Sequence, residues 1–108
     1  MSTVRWVDVG ARADLRFSPG AAVCIDGHWL AVFPVDGALR AIDNACPHAS
    51  APLCDGSIVA GKVVCFLHCW QFDLATGACD IGEAWNVRAY EVREEHGRVL
   101  VAWPGRPA

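Results

Sequence analysis

Cys46-Pro47-His48, answered after residues 49–64 by Cys65-Phe66-Leu67-His68, is the stretch around which the rest of the chain is arranged. Each run supplies one thiolate and one imidazole from a short local turn. A turn of this kind can aim both donors at one metal atom, or at neighbouring atoms of one cluster. Cys-x-His followed by Cys-x-x-His therefore reads as a four-donor metal site built by two loops. Pro47 and Pro52 stiffen the first loop, and Gly56 is expected to permit the turn that closes it.

Outward from these runs the chain is a series of short strands separated by turn dipeptides. Ala21 to Ile25 runs into Asp26-Gly27, and Trp29 to Val35 runs into Asp36-Gly37; both dipeptides are strong hairpin signals. Leu39 to Ile42 completes a three-stranded meander. Pro34 has no backbone donor, so the second of these strands is expected to be an edge or to carry a bulge. Upstream, Arg5 to Val9 alternates polar and apolar residues and is suited to open the sheet. Ala11 to Leu15 is long enough for one helical turn, and Ser18-Pro19-Gly20 is a turn. From about residue 44 to 82 the texture changes to loops, with turn signals at Asp55-Gly56, Ala60-Gly61 and Thr76-Gly77. Ser57 to Val59 and Val63 to Phe66 read as a short hairpin, followed by a strand over Gln71 to Leu74. Strand character returns at Val87 to Val92 and Arg98 to Trp103, with His96-Gly97 between them. The expected fold is all-β: an antiparallel β-sandwich or partial barrel, one domain over residues 1–108, carrying a metal-binding insertion at about 44–82.

Composition narrows the setting. Of the 108 residues, 54% are hydrophobic and 19% charged, which suits a globular chain, and a net charge of −3 argues against nucleic acid as partner. No basic start leads into an apolar run, and no apolar segment approaches the ~18 residues needed to cross a bilayer, so a cytoplasmic location away from membranes is expected. In that reducing setting six cysteines point to metal before disulfides.

Three readings compete with a redox cluster. Zinc takes four Cys and His donors, although alternation of Cys, His, Cys, His is less usual for it. A nucleophilic Cys–His pair leaves the duplication unexplained and lacks an orienting third residue. Buried cysteines beside chance histidines leave the four matched, turn-flanked positions unexplained.

The longer runs decide among them. Cys46-Pro47-His48-Ala49-Ser50-Ala51-Pro52-Leu53, then Gly56, then Val64-Cys65-Phe66-Leu67-His68-Cys69-Trp70-Gln71-Phe72-Asp73 and Thr76-Gly77, resembles the two cluster-binding boxes of Rieske-type ferredoxins. The resemblance extends over nearly the whole chain. It implies the Rieske fold and a [2Fe–2S] cluster, with Cys46 and Cys65 on the inner iron and His48 and His68 on the outer iron. It further implies an electron carrier rather than an enzyme, working between a flavin-dependent ferredoxin reductase and a terminal oxygenase. The small subunit of an assimilatory nitrite reductase, working with its large subunit, is the alternative within the family. A structural zinc module is the alternative outside it.

Two departures from the family pattern carry expectations of their own. Ala51 and Leu67 stand where the Rieske proteins of quinol-oxidising complexes have a bridging cysteine pair. Trp70 and Phe72 stand where those proteins offer hydroxyls to the cluster, so a potential at the low end of the Rieske range, roughly −150 mV, is implied. Cys69 follows the second box where glycine or another small residue is usual, and a Cys54–Cys69 disulfide is conceivable. Of the remaining residues, Cys24 is expected in the core, as are Trp6, Trp29, Phe33 and Trp103. His28 and His96 are expected in solvent at hairpin turns, and Trp70 at the surface beside the site.

Overall fold

A computed structural model describes residues 4–47, 51–67 and 69–105. Among the described residues ten strands alternate with three short 3-10 turns at Arg12–Asp14, Leu53–Asp55 and Glu83–Trp85. The strands are β1 (Arg5–Ala11), β2 (Ala21–Ile25), β3 (His28–Val35), β4 (Ala38–Asp43), β5 (Ser57–Val59), β6 (Lys62–Val64), β7 (Gln71–Asp73), β8 (Ala89–Tyr90), β9 (Val92–Glu95) and β10 (Arg98–Trp103). They form three antiparallel sheets ordered β1-β10-β9, β2-β3-β4-β8 and β5-β6-β7. The architecture is all-β and the sheets are open, without a closed barrel. Among the described residues no helix is long and apolar enough to cross a membrane.

Four hairpins close through two-residue loops in which both residues take positive φ: Asp26-Gly27, Asp36-Gly37, Ala60-Gly61 and His96-Gly97. That is the mirror-image turn whose twist matches the flanking strands. Positive φ at the second residue costs glycine nothing, which is why the Xaa-Gly dipeptides marked these turns so well.

The β2-β3-β4-β8 sheet is covered on both faces. Successive side chains of a strand point to opposite sides, and β3 shows it: Leu30 and Val32 join one apolar cluster, Ala31 and Phe33 the other. In β4, Leu39 and Ala41 face the first cluster and Ile42 the second. The first is completed by Val99, Val101 and Trp103 of β10. The second is completed by Cys46, Leu53, Val63, Cys65 and Phe72. The central sheet thus shares one core with the β1-β10-β9 sheet and another with the segment bearing both cysteines of the two boxes.

The structure corrects some sequence expectations and bears out others. Strand β1 pairs with β10 and not with the meander. Pro34 lies on a strand with neighbours on both sides, yet β2 reaches only to Ala21 opposite Val32. At Pro34 the strand has β4 alone beside it, in unbroken register with Leu39. The missing donor is accommodated by a local edge, without a bulge. Val87 to Val92 is not one strand: Ala89 and Tyr90 extend the central sheet, whereas Val92 begins β9 in the other. Cys24 is exposed, because Ala21, Val23 and Ile25 take the inward positions of β2. Its cross-strand partner Trp29 is also outward and 54% exposed. Trp6 is half-buried, with the Arg93 guanidinium 4.1 Å above its ring. Phe33 and Trp103 are core, as expected.

Candidate metal centre

The cysteine of each box is tied by a backbone hydrogen bond at the neck of a loop, and the pinch is the same in each. Cys46 N–H donates to Ala51 O at 2.9 Å, and Cys65 N–H donates to Trp70 O at 2.8 Å. Each cysteine is thus the first residue of its loop, bonded to the carbonyl five positions on. In the first loop the pinch continues through a bridge between Ala45 and Pro52 and a bond from Leu53 N–H to Asn44 O. In the second, β6 and β7 run straight into it, with Val64 opposite Gln71. The expected strand over Val63 to Phe66 ends at Val64, which frees Cys65 for the loop.

The two loops rise from one apolar cluster. Cys46 and Cys65 are each 1% exposed and share it with Phe33, Leu53, Val63, Phe72 and Leu74. Among the described residues no polar or charged side chain is buried. Thiols in such a setting, with their backbones tied, suit a group bound through thiolates and shielded from water; the donor chemistry fits the thiolate half of a [2Fe–2S] ligand set. His48 and His68, the expected imidazole half, lie outside the described residues. Among the described residues, no three of His, Cys, Asp and Glu gather closely enough to hold a metal ion.

Gly56 couples the two loops. It closes the turn the sequence suggested, its N–H donating to Leu53 O at 2.9 Å, but its φ of −80° is ordinary, so left-handed freedom is not what the position needs. A Cβ there would run into the Val64 carbonyl oxygen, the residue before Cys65, and crowd Val63 Cγ2 and Leu53 O. Glycine is needed for closeness. Asn44 is a second support that sequence reading missed. Its side-chain oxygen accepts from Cys54 N–H at 2.9 Å, and its own N–H donates to Trp29 O at 3.1 Å. The signal was an asparagine immediately before a loop, a residue type that readily bonds nearby backbone.

The other cysteines separate by environment. Cys54 is buried in the same cluster, Cys69 is exposed, and neither is in a disulfide. Burial, and then the adjacent Asp55 carboxylate, pushes the Cys54 thiol above its ordinary pKa, so it stays protonated. Cys69 takes φ of 59°, the left-handed region where a side chain is strained. That explains the preference for glycine after the second box. Cys79 is half-buried against the cluster, its N–H bonded to Asn86 Oδ1 at 2.8 Å. Trp70 is half-buried rather than fully at the surface, meeting Trp85 edge-on with ring centroids 5.2 Å apart. Phe66 and Leu67, between Cys65 and His68, are 53% and 51% exposed.

His28 is not the solvated turn residue expected, whereas His96 is exposed. The His28 Nε2 lies 2.8 Å from Asp43 Oδ1, an oxygen that also accepts from Tyr90 Oη–H at 2.6 Å. The other Asp43 oxygen accepts from Arg88 N–H at 3.0 Å. This knot fastens the end of β4 to β3 and β8, just before the first loop.

Comparison with known proteins agrees with this geometry. Residues 5–91 match the Rieske [2Fe-2S] domain. The ferredoxin component of the naphthalene 1,2-dioxygenase system of Pseudomonas putida is 34% identical over 100 residues, covering 92% of this chain and 96% of that protein. Among solved structures, the ferredoxin of carbazole 1,9a-dioxygenase from Nocardioides aromaticivorans IC177 superposes with a TM-score of 0.79 at 33% identity, over 91% of this chain and 97% of that one. A chain assigned as the NADH-dependent nitrite reductase small subunit of Mycobacterium tuberculosis superposes with a TM-score of 0.80 at 27% identity, over 98% of both chains.

Proposed function

The chain belongs to the Rieske [2Fe-2S] domain family, and from that premise we propose that it ferries single electrons from a flavin-dependent ferredoxin reductase to a terminal oxygenase. It acts in the cytoplasm as an electron-carrying component, not as a catalyst, and residues 1–108 work as one Rieske domain with its cluster-binding insertion at about 44–82. The observation that carries this reading is the pair of buried cysteines, Cys46 and Cys65, each opening a loop closed in the same way above one dry cluster.

When bound, a Rieske [2Fe–2S] cluster supplies one-electron reduction and oxidation, at a potential raised by two neutral imidazoles in place of thiolates. Cys46 and Cys65 would hold its inner iron, and His48 and His68 its outer iron. The buried apolar side chains of Phe33, Leu53 and Phe72 exclude water from the thiolate side. Exposed Phe66 and Leu67 offer apolar surface beside the second box, where a protein partner can seat itself.

A second reading, the small subunit of an assimilatory nitrite reductase, is favoured by the fit to the M. tuberculosis chain over nearly its full length. The two share the cofactor and differ in partner. Purified protein is expected to be brown and, once reduced, to give a rhombic EPR signal; a colourless sample, as zinc would produce, overturns both. Reconstitution then separates them. Turnover with a flavin reductase and a ring-hydroxylating oxygenase supports the first reading, and turnover only with a nitrite reductase large subunit replaces it with the second.

A further inference from the structure

We propose that Asn44 is the positioning residue of the first ligand loop, a role that rests on the Rieske reading above. Three bonds from this one residue meet at the loop's base. Its N–H donates to Trp29 O on β3, its carbonyl accepts from Leu53 N–H at 2.6 Å, and its side-chain oxygen accepts from Cys54 N–H. Ala45 and Cys46 leave the fold, and Ala51 and Pro52 re-enter it, between these bonds, so Asn44 sets the width of the neck through which Cys46 is held.

The side-chain bond is the one that sequence can vary. Cys54 N–H opens the 3-10 turn Leu53–Asp55, and Pro52, at its N-cap, makes no side-chain cap bond. Asn44 supplies the acceptor from ten residues away. The carbonyl of Cys54 accepts from Gly20 N–H at 2.9 Å, so both backbone polar groups of Cys54 are anchored to the scaffold. Cys54 is 8% exposed, and a buried N–H left without an acceptor is costly. Without that acceptor the return limb of the loop, Ala51 to Leu53, loses its one side-chain anchor and keeps only backbone bonds, and Ala51 O is the acceptor that ties Cys46 N–H. The effect of Asn44 therefore falls on the geometry of the ligand loop more than on the stability of the whole fold.

The test uses the cluster-loaded protein and four forms of it: wild type, Asn44→Ala, Asn44→Asp and Asn86→Ala. Asn86 gives the same kind of bond, to Cys79 N–H, outside the ligand loops and so serves as control. Iron release into a ferrous chelator after reduction is followed by absorbance, alongside EPR line shape and midpoint potential. Asn44→Ala is expected to release iron about tenfold faster, the order of factor carried by one lost bond to a buried N–H, with a broadened EPR signal. Asn44→Asp keeps an acceptor at that place and should hold iron as wild type does, while its added negative charge lowers the midpoint. Asn86→Ala should lose thermal stability without releasing iron faster. Wild-type release by Asn44→Ala, equal loss by Asn44→Asp, or equal loss by Asn86→Ala overturns the proposal. If Asn44→Ala does not fold, iron retention by Asn44→Asp decides alone: wild-type retention supports the proposal and loss overturns it. Failure of the Rieske reading is separate, since it appears as a colourless wild type.

Discussion

Replacing Gly56 with alanine is expected to damage the cluster site more than a methyl group added at Gly61 or Gly82, whose surroundings are open. The backbone at Gly56 is unstrained, so the cost is steric alone. The added Cβ meets the Val64 carbonyl oxygen first, then Val63 Cγ2 at 2.9 Å and Leu53 O at 3.2 Å. Two of these three are backbone atoms, of β6 and of the 3-10 turn, and cannot rotate away. Overpacking of a tight site costs about 1–3 kcal/mol, and the upper end applies where backbone must move. At about 4–8 °C per kcal/mol for a domain near this size, the melting temperature should fall by roughly 12 °C or more. Gly61→Ala is the matched control: nothing lies within 4 Å of its Cβ, and its φ of +77° carries only the left-handed strain, about 1 kcal/mol. Because Val64 precedes Cys65 and Leu53 ends the first loop, Gly56→Ala should also shed the cluster on mild heating, whereas Gly61→Ala should keep it until global unfolding. Differential scanning calorimetry with absorbance followed in parallel reads both. Equal melting losses in the two variants, or a Gly56→Ala protein that holds its colour until it melts, would refute the close-approach account.

Other consequences follow from single residues. Cys69→Gly relieves a left-handed φ at an exposed position and should leave stability unchanged or raise it by up to about 1 kcal/mol by urea denaturation; a clear loss would show that the Cys69 side chain contributes contacts that outweigh the strain. Phe72→Tyr adds a hydroxyl within the cluster of residues that holds Cys46 and Cys65, and the midpoint in protein-film voltammetry should rise; an unchanged or lower value contradicts the low-potential argument. Tyr90→Phe removes one of three donors to Asp43 and should cost about 1 kcal/mol at neutral pH. Burial first, then the Asp43 carboxylate, raises the Tyr90 pKa above its ordinary value of 10.0. The stability this confers is complete below the unfolded-state pKa of about 10 and is lost as pH rises from there toward the higher folded-state value. Wild type should therefore lose more stability than Tyr90→Phe between pH 10 and 12, measured by urea midpoints. Parallel losses would contradict the buried hydroxyl.

What could be read from the chain alone was whatever is set by neighbours in sequence. Donor types and spacing in the two boxes marked a four-donor metal site, the resemblance of the longer runs implied its cofactor, and the Xaa-Gly turns located the hairpins. Turn conformation depends on two or three adjacent residues, so those readings needed no knowledge of packing. The alternation of β2 was equally local, yet it could not tell which way Cys24 points: an alternating strand has two faces, and only the sheet stacked on it selects the buried one. Trp29 was misread for the same reason. His28 looked solvated because its partner Asp43 lies fifteen residues on and the remaining donors, Arg88 and Tyr90, come from the far end of the chain. Gly56 was recognised as necessary, but its reason, contact with Val64 across the insertion, exists only once β5 and β6 pair. The sequence by itself determined the donor set proposed for the cluster. Tertiary structure decided how closely the two loops approach and what anchors them, because those quantities rest on contacts between residues that only folding brings together.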